Sequence, residues 1–131
     1  MKRIKHGVLG LGWFGEKHCE ALASIPNVEL YAVCTRNSER LAEVAERFGV
    51  RKVYSDYQEM LADPELESVS ITTMWDQHAD PAVAALEAGK HVFLEKPMAS
   101  TVADCDRIVE AANKASSFFM VGHICRFNPR Y

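Results

Sequence analysis

The 131-residue chain has no C-x-x-C pair and no His/Cys cluster at zinc spacing. Its four cysteines, Cys19, Cys34, Cys105 and Cys125, stand far apart. That pattern reads as reduced thiols of a cytoplasmic protein and argues against a disulfide framework or a metal centre. No run approaches the ~20 apolar residues of a membrane helix. The basic start, Lys2, Arg3 and Lys5, leads into a short apolar stretch that holds three glycines and meets Glu16-Lys17-His18 at once. No small-residue cleavage site follows, so the stretch reads as a strand and not as a signal peptide. Neither sign of charge dominates: 15 Lys and Arg face 18 Asp and Glu. Nucleic acid and anionic membranes are therefore not expected partners. Low-complexity segments and linkers are also missing, and 48% hydrophobic residues supply the core of one domain.

Glycine is sparse, with seven in all, yet three fall in Gly10-Leu11-Gly12-Trp13-Phe14-Gly15. This G-x-G-x-x-G leaves the apolar strand Ile4 to Leu9 and opens a helix from Trp13 to Ser24. In a dinucleotide fingerprint the first glycine makes the tight turn. The second lets backbone approach a pyrophosphate, and the third lets helix pack on strand. The new helix offers unpaired N–H groups and its positive dipole end to phosphate.

Strand and helix patterns then alternate. Strands are expected at Val28–Cys34, 51–54, Ser68–Thr73, His91–Leu94 and 117–121. Helices are expected from Asn37 or Ser38 to Phe48 with Gly49 as C-cap, over Asp56–Ala62, over His78–Ala88 closed by Gly89, and from the Thr101/Asp104 capping box to Ala115. In the last helix Val102, Cys105, Ile108, Val109 and Ala112 are expected to face inward, and Phe118 and Phe119 to join the core. The serines of Ser68–Thr73 make that strand less apolar than a covered parallel strand usually is. The alternation is that of an α/β doubly wound parallel sheet, a Rossmann fold of about six strands. Residues 1–123 are expected to form it. Residues 124–131 are expected to begin a connection to a substrate domain outside this chain.

Ligands of such sheets bind beyond the carboxyl ends of the strands. After the second strand stands Thr35-Arg36 where an acid would grip the ribose hydroxyls of NAD. A hydroxyl and a guanidinium suit a 2′-phosphate, so NADP is expected, with NAD as the alternative. A solvent-facing arginine at a helix start is the plain reading of Arg36. After the fourth strand come Thr73, Met74, Trp75 and His78. Trp75 reads as a cofactor contact or as a surface aromatic; His78 reads as structural or as a cofactor-edge residue. After the fifth stands Glu95-Lys96-Pro97. A lysine facing a nicotinamide suits proton exchange with a substrate hydroxyl. The plain reading is a Glu–Lys surface pair. His18, His91 and His123 read as packed or partly exposed structural residues.

Together these segments resemble the nucleotide-binding half of the Gfo/Idh/MocA family, the glucose–fructose oxidoreductases and inositol dehydrogenases. The resemblance rests on Gly10-x-Gly12-x-x-Gly15-x-x-His18, on the Ala32-Val-Cys-Thr-Arg-Asn37 stretch, and on Thr73 followed by His78. It continues through Ala88-Gly-Lys-His-Val-Phe-Leu-Glu-Lys-Pro-Met98 and Val121-Gly-His-Ile-Cys-Arg-Phe-Asn-Pro129. It implies hydride transfer between NAD(P) and a sugar or polyol, with Lys96 as the catalytic lysine beside the nicotinamide. Gly10, Leu11, Gly12, Trp13, Phe14, Gly15, Thr35, Arg36, Thr73, Met74, Trp75, His78, Glu95, Lys96, Pro97 and Arg126 are the implied cofactor-side residues. Many members carry Pro-Asn where this chain has Met74-Trp75. The family's second domain supplies an acid/base pair, most substrate contacts and the subunit interface. Without it this chain is expected to be inactive alone, and homo-oligomers are expected only with it. A non-catalytic dinucleotide module and an NAD-dependent glycosidase are the rival functions.

Overall fold

The computed structural model describes residues 2–131. The strands are β1 (Ile4–Leu9), β2 (Val28–Cys34), β3 (Lys52–Tyr54), β4 (Ser68–Ile71), β5 (His91–Glu95) and β6 (Phe119–Gly122). The helices are α1 (Trp13–Ala23), α2 (Ser38–Phe48), α3 (Tyr57–Ala62), α4 (Ala79–Glu87) and α5 (Val102–Lys114). The strands form one parallel sheet in the order β3-β2-β1-β4-β5-β6. The order reverses between β1 and β4, so the loops after them diverge and leave a crevice. The register holds the strand ends level: Leu9 lies beside both Cys34 and Ile71, Ile71 beside Leu94, and Glu95 beside Gly122. All the loops singled out in the sequence therefore leave one edge.

Local chemistry sets the helix ends. Asn37 caps α2 by accepting from the Arg40 amide, and Gly49 ends it at φ 67°. Thr101 caps α5 by accepting from the Asp104 amide. Here the capping box closes side chain to side chain, with the Thr101 hydroxyl donating to the Asp104 carboxylate at 2.9 Å. Two cores sandwich the sheet. Val8, Leu11, Cys19, Val33, Val44 and Val50 lie under α1 and α2. Leu9, Met60, Leu66, Val69, Ile71, Leu86, Leu94 and Ile108 lie on the other face.

Three core expectations need correction. In α5, Ile108 is buried, but Val102 and Val109 are exposed. Val102 starts the first turn, beyond the strip of α5 that meets the sheet. Phe118 is 82% exposed and stacks on His91 at 5.3 Å. It precedes the edge strand β6, where Met120 is exposed too.

At the opposite edge of the sheet Asp63 ties three elements together. Its Oδ2 accepts from the Tyr54 hydroxyl at 2.7 Å and the Tyr31 hydroxyl at 3.0 Å, and its Oδ1 from the Glu65 amide at 2.9 Å. Burial alone would raise its pKa. Those hydrogen bonds, with Lys52 nearby, outweigh burial and bring it down to about 2. A carboxylate whose folded pKa lies below its unfolded one stabilises the fold above the unfolded value. That stability is lost as the pH falls from about 4 through about 2. Between pH 5 and pH 2 the wild type is expected to lose roughly 2 kcal/mol more than Asp63→Asn. Urea unfolding across that range measures the difference, and equal losses would contradict the assignment.

Candidate functional site

A cleft of about 870 Å³ opens at the carboxyl edge of the sheet. Gly10, Leu11, Gly12, Thr35, Arg36, Asn37 and Cys34 line it from one side; Ser55, Asp56 and Tyr57 line it beyond β3; Thr72, Thr73, Met74, Asp76 and Gln77 line it beyond β4.

The three loop glycines have different reasons to be glycine. Gly10 sits at φ 95°, and a Cβ there would meet the Thr73 nitrogen at 2.6 Å. A Cβ on Gly15 would collide with the Gly10 carbonyl oxygen. Those two are required by the protein itself. Gly12 has φ −70° and ψ −171°, open to any residue, and nothing lies within 4 Å of an added Cβ. The protein does not need a glycine there, whereas a ligand resting on the loop would. α1 starts without a side-chain cap at Gly12, which leaves its first N–H groups for a ligand or water. The residues present thus fit a pyrophosphate.

Side chains unnoticed in the sequence brace this loop. The Thr72 hydroxyl lies 2.6 Å from the Gly10 carbonyl and 3.1 Å from that of Leu9. Arg40 Nε donates to the Leu11 carbonyl at 2.8 Å, and the same guanidinium pairs with Glu16. Leu11 lines the cleft and is at the same time buried in the core under α1 and α2. Cys34 also lines the cleft, but burial, with Asp56 and Glu59 nearby, pushes its thiol up to about 12. It stays protonated and is no nucleophile at neutral pH.

Arg36 is exposed, with one guanidinium nitrogen 3.4 Å from Gln77 Oε1. The contact crosses from the β2 loop to the β4 loop. Thr35 Oγ1 accepts from the Asn37 amide at 3.4 Å.

The Glu95-Lys96-Pro97 segment is not a surface ion pair. Glu95 is only 8% exposed, while Lys96 and Pro97 are exposed. Glu95 Oε1 accepts from His18 Nε2 at 3.0 Å, and Oε2 accepts from the Lys96 amide at 3.1 Å. His78 is 1% exposed, with Nδ1 2.8 Å from the Pro97 carbonyl and Nε2 3.0 Å from the Thr73 carbonyl. It bridges the loops after β4 and β5, which is the structural reading of this histidine.

The remaining residues divide by place. Phe14 and Glu95 line a second, apolar cavity of about 380 Å³ with His18, Phe93, Ile124 and Phe127. Trp13, Met74 and Trp75 are exposed, Trp75 in a 3-10 turn before α4. Arg126 is exposed in a second 3-10 turn, Ile124–Phe127, and lines neither cavity. Among the described residues no group of three or more His, Cys, Asp or Glu side chains could hold a metal ion. Among the same residues no helix is long and apolar enough to cross a membrane.

Residues 4–123 match the family described as the oxidoreductase family, NAD-binding Rossmann fold, named GFO_IDH_MocA. The chain belongs to this family. Its relatives include a 4-carboxy-2-hydroxymuconate-6-semialdehyde dehydrogenase of Sphingobium sp., 38% identical over 98% of this chain and 41% of the relative. A myo-inositol 2-dehydrogenase of Thermotoga maritima is 37% identical over 98% of this chain and 38% of the relative. Among solved structures, scyllo-inositol dehydrogenase from Lactobacillus casei with bound NAD(H) and scyllo-inositol superposes with a TM-score of 0.88. It is 30% identical and covers 98% of this chain and 38% of that one. The chain thus spans about two fifths of the length of these family members.

Proposed function

We propose that this chain is the cofactor-binding portion of an NADP-preferring oxidoreductase acting on a CH–OH group of a sugar or polyol. Residues 1–123 form the cofactor unit, and residues 124–131 begin the connection that follows it. The open space over Gly12, at a helix start with uncommitted N–H groups, carries the reading. Bound NADP would supply the hydride acceptor. Gly10, Gly12 and the start of α1 hold the pyrophosphate, and Thr35 and Arg36 take the 2′-phosphate. Lys96 orients the substrate hydroxyl and receives its proton at Nζ as hydride leaves the carbon. Thr73, Met74 and Trp75 flank the cofactor, and His78 and Pro97 hold the lysine loop in place. The sugar or polyol class follows from relatives named for inositols and D-apiose. Buried, protonated Cys19 and Cys34 suit a reducing, cytoplasmic setting.

Titration of the chain with NADPH and with NADH tests the cofactor. NADPH should bind more tightly, because charge-assisted contacts to a phosphate contribute roughly 1.5–3 kcal/mol, about ten- to a hundredfold in affinity. Arg36→Ala should remove most of that preference with little change in NADH affinity. Equal or tighter binding of NADH by the wild type would assign Arg36 to its Gln77 contact alone.

A further inference from the structure

A partly buried chain of polar groups that the proposed reaction does not use ends at the Lys96 amide. Ser68 Oγ lies 2.6 Å from His6 Nδ1, and His6 Nε2 lies 2.9 Å from Ser70 Oγ. Ser70 Oγ lies 3.1 Å from His18 Nδ1, and His18 Nε2 lies 3.0 Å from Glu95 Oε1. Glu95 Oε2 then accepts from the Lys96 amide at 3.1 Å. At the carboxylate end the direction is set, with Glu95 accepting from His18, and the roles of the other ring nitrogens and hydroxyls follow from the tautomers. Burial, with His18 beside it, lowers His6 to about 4, which leaves it neutral at pH 7.

The chain joins two parts of the cofactor site. His18 lies on α1, the helix that begins at the glycine loop, three residues after Gly15. Glu95 ends β5 immediately before Lys96. The aromatic rings of Phe14 and Phe93 flank His18 at 5.6 and 5.4 Å and restrict its ring. The Glu95 side chain is 11% exposed and that of His18 is 15% exposed, so water competes little for either.

We propose that His18 and Glu95 are positioning residues, a strut that fixes the Lys96 backbone relative to the helix that seats the pyrophosphate. The proposal rests on the reading of Lys96 above for its catalytic meaning. The strut itself is tested without turnover and without dinucleotide, so either can fail alone.

Hydrogen exchange of the Lys96 amide reads the strut directly. His18→Leu keeps an apolar body of similar size and removes the donor to Glu95. Lys96 amide exchange should rise about tenfold, the weight of one hydrogen bond. His18→Gln places an amide N–H where Nε2 stood and should restore exchange to within about twofold of wild type. The Val69 and Leu94 amides in the centre of the sheet should keep their protection in both. Glu95→Gln conserves volume, replaces the charged acceptor with a neutral one, and should also speed Lys96 exchange. Unchanged Lys96 exchange in both His18→Leu and Glu95→Gln would overturn the strut. So would a failure of His18→Gln to restore what His18→Leu loses while Val69 and Leu94 remain protected.

Discussion

Gly12→Val is expected to abolish dinucleotide binding and to leave the fold intact. The backbone at Gly12 has φ −70° and ψ −171°, which valine adopts without strain, and an added Cβ meets no atom within 4 Å. A substitution free of clash and burial typically changes stability by less than about 0.5 kcal/mol. The space is nevertheless where a pyrophosphate would approach the first N–H groups of α1. Valine's methyl groups fill it. Affinity for NADPH should fall at least ~100-fold, about 2.7 kcal/mol, because the phosphates lose both helix N-terminus and close backbone contact. Fluorescence titration reads the affinity, and a thermal melt of the same sample reads the fold. Gly15→Val is the contrasting control. Its Cβ would strike the Gly10 carbonyl oxygen, so that variant should lose stability as well as binding. If Gly12→Val binds NADPH undiminished, the site lies elsewhere.

The sheet was legible because its determinants are local. Apolar strands end at Gly10, Thr35, Thr72 and Lys96, and helix caps at Asn37 and Thr101 restart the chain. Parallel register then brings those ends to one edge. What could not be read was which face each exposed position would meet. Val109 sits at helical spacing from Cys105 and Ala112, yet α5 covers only a narrow strip of sheet. Phe118 looks like core until β6 proves to be an edge strand. The braces of the glycine loop were hidden for a different reason. Thr72 and Arg40 reach it across 62 and 29 residues of sequence, distances no local pattern reports. The serines of β4 did carry a signal. Two hydroxyls in a covered parallel strand require buried partners. His6 and His18 are those partners. The spacing from Gly15 to His18 placed that histidine beside the loop helix, but only the sheet order, β1 next to β4 next to β5, could bring it to Glu95.

Lys96→Ala is expected to cut kcat by ~10²–10⁴-fold, the usual share of acid–base catalysis, while NADPH affinity stays within about twofold. The two effects separate because Lys96 stands in the β5 loop, outside the lining of the cleft that receives the adenosine and phosphates. The measurement needs a protein of the relatives' full length, and this chain spans about two fifths of that length. Hydride transfer requires the substrate carbon within ~3–3.5 Å of the nicotinamide, and such positioning contributes ~7–11 kcal/mol. One wall of a cleft does not provide it, so the 131-residue chain alone should bind cofactor and show no appreciable turnover of inositols or sugars. In the longer protein the alanine variant should lose rate at saturating substrate, and the loss should ease as rising pH supplies hydroxide in place of the missing amine. Lys96→Arg should not restore the rate, because a guanidinium keeps its proton at every accessible pH. Undiminished kcat in Lys96→Ala would take the lysine out of the reaction and leave the Glu95–His18 strut holding a backbone that has no part in the chemistry.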